Sequence, residues 1–346
     1  MCVFIPCPEV SGETAGGPDS NGVGGDTVYG EGGRGAKGGA TPPARPRGLS
    51  YPGAQPRSVT GIIAFSDLAW GTRERGLPGG GRVGIASFMR IVDEADPTIV
   101  IFAGDAAYDR CSRSGLDETE VFVDLLRDIA AAGRHCIVVE GNNDDARGTY
   151  GRVREAAEAS PFLHEVSGKA ETVRGIRFLG VPTGKERRMA RSAEGPVDIV
   201  VAHAPLADRI WLFDLPAACI VTGHYGMMVA GIAGKAYVAL DCSPASYAAI
   251  EWERGWRRIA YVAGACRISL SPGEGVAATG CDAEERRRLT GGPGELPYRA
   301  EIEALRQAKD EVAALGREEV AGRLLAMGIK KTHIERYLGR RGRPEP

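Results

Sequence analysis

Amide side chains are nearly absent from this chain of 346 residues, which has three Asn and two Gln. Both are thermolabile, so their scarcity fits a thermophile protein. Lysine is scarce too, seven against 36 Arg, which departs from the Lys- and Glu-rich signature of hyperthermophiles and fits a GC-rich genome equally well. No apolar run reaches the ~18 residues of a membrane span, and no charged start leads into an apolar secretory segment. The expectation is a cytoplasmic protein with no membrane partner. Eight cysteines occur without a CxxC pair, so no structural zinc motif is visible, and they are expected as reduced, mostly buried thiols. Disulfides would fit only a hyperthermophile's cytosol. Neither charge sign dominates: 43 Lys and Arg face 45 Asp and Glu, for a net −2. That balance argues against nucleic-acid binding through bulk charge and leaves room only for a local patch. What remains, 43% hydrophobic and 25% charged, is the composition of a soluble globular protein with a sizeable core.

The chain punctuates itself into parts. Residues 1–58 are rich in Gly, Pro and Ser, with few apolar residues to offset chain entropy. They are expected to be disordered, and a natural start near Val59 is the favoured explanation. Residues 59–266 alternate apolar runs of strand length with amphipathic stretches. The runs are Gly61–Phe65, Thr98–Ala103, Cys136–Val139, Asp198–Ala202 and Cys219–Thr222, and helices are expected over Val83–Glu94 and Glu118–Ala132. Strand–helix–strand alternation predicts an α/β fold with a parallel portion. Hairpins are expected around Arg174-Gly175 and between Tyr247–Trp252 and Trp256–Val262, which predicts a mixed sheet or two packed sheets. Residues 267–297 read as a Gly/Pro linker, and 298–346 as a helical appendage with a basic tail.

Polar residues cluster where the apolar runs stop. Asp67 follows the first run, Gly104-Asp105 the second, Gly141-Asn142-Asn143-Asp144 the third, Ala202-His203 the fourth and Gly223-His224 the fifth. Asp or Asn after a strand is usually a turn former or helix cap. Two of the three Asn and two of the five His at such ends, in this order, form a less ordinary coincidence. Ligand groups of open α/β sheets gather at the carboxyl ends of strands, so these residues can converge although scattered along the chain. Two carboxylates, an amide oxygen and two imidazoles suit a divalent transition metal (Mn, Fe or Zn) better than Ca.

The ordered set resembles the calcineurin-like metallophosphoesterase family over about residues 59–263. The resemblance implies a four-layer αββα sandwich of two mixed sheets. It also implies a metal site built from Asp105, Asn142, His203 and His224, and a second ion held by Asp67 and Asp105. Asp105, Asn143 and Asp144 take the catalytic positions, Asp144 by orienting a neighbour. The chain departs from the family pattern at three usual histidines, where Ala69, Asn143 and Gly226 stand. Asn143 replaces the residue placed to protonate the leaving group. One metal site is therefore complete and the other depleted. The implied function is hydrolysis of a phosphomonoester or phosphodiester by metal-activated water.

The competing reading is a catalytically retired scaffold or binding protein of the same fold, contacting nucleic acid through residues 318–343. Glu318–Met327, a turn at Gly328 and Lys331–Leu338 look like a helix-turn-helix, followed by the basic run Arg340-Arg341-Gly342-Arg343. Leu324 stands where such a motif usually carries a small residue, which favours a small bundle docked on the main domain. The basic stretch Arg187, Arg188 and Arg191 reads as solvated surface or as a lid, and His135 and His164 read as structural.

Overall fold

The computed structural model describes residues 59–68, 85–106, 118–144, 148–192, 195–204, 208–224, 228–240, 246–263, 265–283 and 297–338. The segment 1–58, Ala69, Gly226 and the basic run 340–343 lie outside the described residues.

Two sheets form the centre. In the first, β1 (Thr60–Phe65), β2 (Ile99–Ala103), β3 (His135–Val139) and β4 (Leu163–Glu165) run parallel. Four antiparallel strands extend it beyond β1: β11 (Ser246–Trp252), β12 (Trp256–Ala263), β13 (Cys266–Ser271) and β14 (Gly275–Thr279). The second sheet has the order β5-β6-β7-β8-β10-β9. Its strands are β5 (Ala170–Val173), β6 (Ile176–Val181), β7 (Val197–His203), β8 (Ala217–Gly223), β9 (Met228–Ile232) and β10 (Lys235–Ala239). Of these, β6, β7, β8 and β10 are parallel, with β5 and β9 antiparallel at the edges.

Both faces of the central strands are covered, which is why they read as unbroken apolar runs. Ile62 and Ala64 of β1 face the second sheet, where they join Ile199 and Val201 of β7 in the inter-sheet core. Ile63 and Phe65 face outward onto α1 (Ile85–Ala95), α2 (Glu118–Ala131) and α3 (Thr149–Glu158). Phe122, Leu125, Leu126 and Ile129 of α2 are the apolar stripe of period 3.6, and all are buried there. The outer face of the second sheet carries α4 (Glu186–Ser192), α5 (Arg209–Leu212), α6 (Pro297–Leu315), α7 (Arg317–Ala326) and α8 (Lys331–Leu338). Helices, sheet, sheet and helices make the four-layer α/β sandwich.

One expectation changes. The linker expected over 267–297 begins instead as β13 and β14, two further strands of the first sheet. Burial alternates along β13, with Cys266, Ile268 and Leu270 inside, so its core-facing side holds it to β12. The C-terminal helical region is packed into the fourth layer. Leu305, Val320, Leu324 and Ile334 are buried with Trp211 and Phe213, and the Trp211 and Tyr337 rings lie 4.6 Å apart. Leu324, too large for the expected helix-turn-helix contact, is 3% exposed in that core. Arg336 pairs with Asp208 and Lys309 with Asp214 at 2.7 Å, tying the same helices down. No helix among the described residues is long and apolar enough to cross a membrane.

The cysteines also correct an expectation. Cys136 and Cys219 are buried thiols, and burial pushes Cys219 up to about 12, which leaves it inert. Cys266 and Cys281 form a disulfide, contrary to the reduced state expected. It joins the start of β13 to the segment after β14 and closes the hairpin at the sheet edge. With a sequence separation of 15, loop closure contributes about 3 kcal/mol. Cys281→Ser should therefore lower urea-unfolding stability by about 3 kcal/mol, and reductant should do the same to the parent. An unchanged midpoint in both would contradict this.

Candidate metal centre

The parallel strands of both sheets point their carboxyl ends the same way, and five chain segments meet there. Asp67 follows β1, Asp105 follows β2, Asn142 to Asp144 follow β3, His203 ends β7 and His224 follows β8. Three of these, Asp67 (φ 53°), Asp105 (φ 52°) and His224 (φ 67°), adopt the left-handed region that side chains other than glycine rarely take. Such conformations cost of order 1–3 kcal/mol each and persist where surrounding structure over-determines them.

The close approach of the strand ends needs glycine at two points in particular. A Cβ on Gly223 would stand 1.9 Å from Ser66 Oγ and 2.2 Å from the Ala103 carbonyl. Gly104 has φ +81°, and a Cβ there would fall 2.5 Å from His203 Cγ.

His203 is the hub. Its ring is fully buried, and Nδ1 donates to the Ala103 carbonyl at 2.8 Å, which aims Nε2 into the centre. Around Nε2 stand Asp105 Oδ2 at 3.1 Å, His224 Nδ1 at 3.1 Å and Asn142 Oδ1 at 3.2 Å. Ligands about 2.0–2.2 Å from a shared ion stand about 3.0–3.5 Å from one another, so these spacings fit one cation. Nitrogen with hard and amide oxygen is also a donor set for Mn, Fe or Zn. Among the described residues, Asp105, His203 and His224 are the grouping of acidic, His or Cys side chains able to hold an ion.

The remaining residues brace this set. Asn143 donates its backbone N–H to Asp105 Oδ1 at 2.9 Å and its side-chain amide to Oδ2 at 2.6 Å. Asp144, 2% exposed, accepts from the backbone N–H of Asp105 and of Gly141, both at 2.9 Å, joining the ends of β2 and β3. Asp67 Oδ2 accepts from Ser66 Oγ at 2.5 Å and from the His224 N–H at 3.0 Å. Asp67 therefore lies beside the hub without joining it.

Sequence reasoning missed Arg209. Its side chain is 1% exposed and spends its donors on both histidine segments: Nε on the Ala204 carbonyl at 2.9 Å, and Nη2 on the Gly223 and His224 carbonyls at 2.7 Å each. Nη1 reaches Tyr237 Oη at 3.0 Å. One guanidinium thus fixes the segments that follow β7 and β8. Its only signal in the sequence is an arginine opening the apolar run Ile210-Trp211-Leu212. Ser66 and Thr183 were missed as well. Thr183 Oγ1 donates to the His203 carbonyl at 2.6 Å.

Charge is distributed unevenly. Burial alone would raise Asp105, but the His203 hydrogen bond and charge, with the Asn143 donors, outweigh it and hold the carboxyl below its ordinary value. Burial likewise opposes a charged His203, and Asp105 overrides it, so the imidazole is pushed up to about 9. His224 is pulled down to about 4, by burial first and then by the charge of His203. Asp67 is raised, mainly by burial, with the Asp105 charge adding.

These shifts give the cation-free protein a pH signature. His203, raised in the fold, contributes stability that is complete below its unfolded value of about 6.5 and lost as pH rises through about 9. His224, depressed in the fold, contributes stability present above about 6.5 and lost as pH falls toward about 4. Urea unfolding in EDTA should show a falling alkaline limb between these values, and Asp105→Asn should flatten it. A parent profile flat across that range would contradict the assignment.

Comparison with known proteins follows the same lines. Residues 61–228 match the family model described as calcineurin-like phosphoesterase. No curated protein matches the chain. Among solved structures, it is similar to a novel archaeal phosphodiesterase at 13% identity and TM-score 0.35, covering 59% of this chain and all of that one. It is also similar to the Pseudomonas putida nuclease MPE at 15% identity and TM-score 0.27, covering 56% of this chain and 86% of that one. The family match takes in the ends of β1, β2, β3, β7 and β8, and with them every residue of the candidate metal centre: residues 61–228 of this chain match the calcineurin-like phosphoesterase family.

Proposed function

We propose that the protein is a metal-dependent phosphoesterase, hydrolysing a phosphomonoester or phosphodiester at the centre formed by Asp105, Asn142, His203 and His224. The observation that carries this reading is the gathering of three donor atoms within 3.1–3.2 Å of His203 Nε2 at the carboxyl ends of two sheets. A divalent cation bound there supplies Lewis-acid polarisation of a phosphoryl oxygen and makes water nucleophilic near neutral pH. The chain's own part is to hold and orient. Asp105 is fixed through both oxygens by Asn143 and through its backbone by Asp144. His203 and His224 are held by Ala103 and Arg209. Asp67 lies where it can share a weaker second ion with Asp105.

Asn143 has no ionisable proton to give a leaving oxygen, and its amide is already engaged with Asp105. Absence of a general acid costs ~10²–10⁴ in rate for a poor leaving group and much less for a good one. The substrate therefore needs a leaving group of low pKa, or brings its own proton source. With Mn²⁺ and an activated diester such as bis(p-nitrophenyl) phosphate, the full chain should turn over. Asp105→Ala and His224→Ala should each lose at least about a hundredfold. Turnover unchanged in either variant would sink this mechanism.

A further inference from the structure

A second charged feature lies on the outer face of the second sheet. The edge strand β5, its neighbour β6 and helix α4 enclose an open groove of about 470 Å³, the size of a ligand site rather than a single ion's cavity. Among its described lining residues four side chains are cationic, Lys169, Arg177, Lys185 and Arg188, and none is acidic. In a chain of net charge −2 with seven lysines, that is a local concentration of one sign.

Three segments bring these cations together. Lys169 stands before β5, where its carbonyl accepts from the Gly180 N–H at 3.2 Å. Arg177 shares the outer face of β6 with Leu179 and Val181, and its Nη1 donates to the Pro196 carbonyl at 3.1 Å. Lys185 immediately precedes α4 and Arg188 lies in its first turn, three residues on, and both are exposed. Carboxylates on the same elements are committed elsewhere. Glu171 bonds His164 Nδ1 at 2.5 Å and reaches Lys169 Nζ only at 4.0 Å. Asp198 accepts from the Arg177 N–H at 2.8 Å, and Glu186 is buried, accepting from the Gly184 N–H at 3.2 Å.

The groove also adjoins the metal centre. Pro182 lines it, and the next residue, Thr183, bonds the carbonyl of His203. None of the described lining residues is aromatic, so they offer nothing on which a base could stack. Cations spread over three segments, without stacking platforms, suit a chain of phosphates read through its backbone.

We propose that this groove binds the phosphodiester backbone of a nucleic-acid strand and holds it beside the metal centre. The inference rests on the phosphoesterase reading for its substrate class, but its test is binding, so the two fail separately. The full chain is titrated, in EDTA, against a fluorescein-labelled oligothymidylate of about twelve nucleotides, with anisotropy read across a KCl series. The parent should bind with strongly salt-dependent affinity. Lys185→Ala/Arg188→Ala should bind at least about tenfold more weakly, with a salt slope smaller by about 1.4, the value for two lost contacts to a single strand. Arg257→Ala, which removes an exposed cation from the first sheet, should bind as the parent does. No binding by the parent, or equal binding by the double variant, would overturn the proposal. So would full displacement of the oligonucleotide by inorganic pyrophosphate at equal phosphate concentration, since that would make the groove a small-anion pocket. Groove-dependent binding by a protein that hydrolyses no phosphate ester would leave this inference standing and remove the phosphoesterase one.

Discussion

The candidate metal centre forms because two sheets bring backbone and side chains into near contact at one end. Asp105 belongs to the first sheet and His203 to the second, and both are almost wholly buried where they meet at 3.1 Å. The His203 ring could not stand there if Gly104 or Gly223 carried a Cβ, nor the Asp105 carboxylate if Gly141 did. The same crowding explains the left-handed backbone at Asp67, Asp105 and His224, which lets each chain turn sharply as its strand ends. Strain of this kind is held by its surroundings. Here those are the Asp144 bridge between the ends of β2 and β3 and the Arg209 guanidinium beneath the two histidine segments.

Electrostatics then divides the carboxylates by their neighbours. Asp105 faces the His203 imidazole, which with the two donors of Asn143 keeps it ionised against its burial. Asp67, half-buried, is raised mainly by desolvation, with the negative Asp105 beside it adding, and its proton is held more tightly. A cation entering the hub replaces the proton that His203 carries, so binding of metal and of proton compete at one nitrogen. His224, kept neutral by burial and by His203, already presents a lone pair.

Much of this was legible in the sequence because both faces of the central strands are buried. Ile62 to Phe65 and Ile99 to Ala103 are continuous apolar runs for that reason, and the polar residue ending each run marks the site. Order along the chain therefore singles out Asp67, Asp105, Asn142, His203 and His224, which the fold gathers at the carboxyl ends of its strands. Other parts leave weaker marks. Strand β13 does alternate, through Cys266, Ile268 and Leu270, but the Ser271-Pro272-Gly273 turn that follows looks like the opening of a linker. The disulfide cannot be inferred from spacing without a CxxC or a framework of cysteines. Arg209 looks like any surface arginine until the fold draws together its bonds to three carbonyls and a hydroxyl, and the cations of the groove come from separate segments.

The central claim is one complete metal site. Its most direct measurement is the stoichiometry and affinity of Mn²⁺ or Zn²⁺ for the apo-protein by calorimetry and elemental analysis, in the parent, His203→Ala and Asp67→Ala. One tight ion per chain, lost in His203→Ala and kept in Asp67→Ala, is the expected result. No tight ion in the parent, or one that survives His203→Ala, would contradict it.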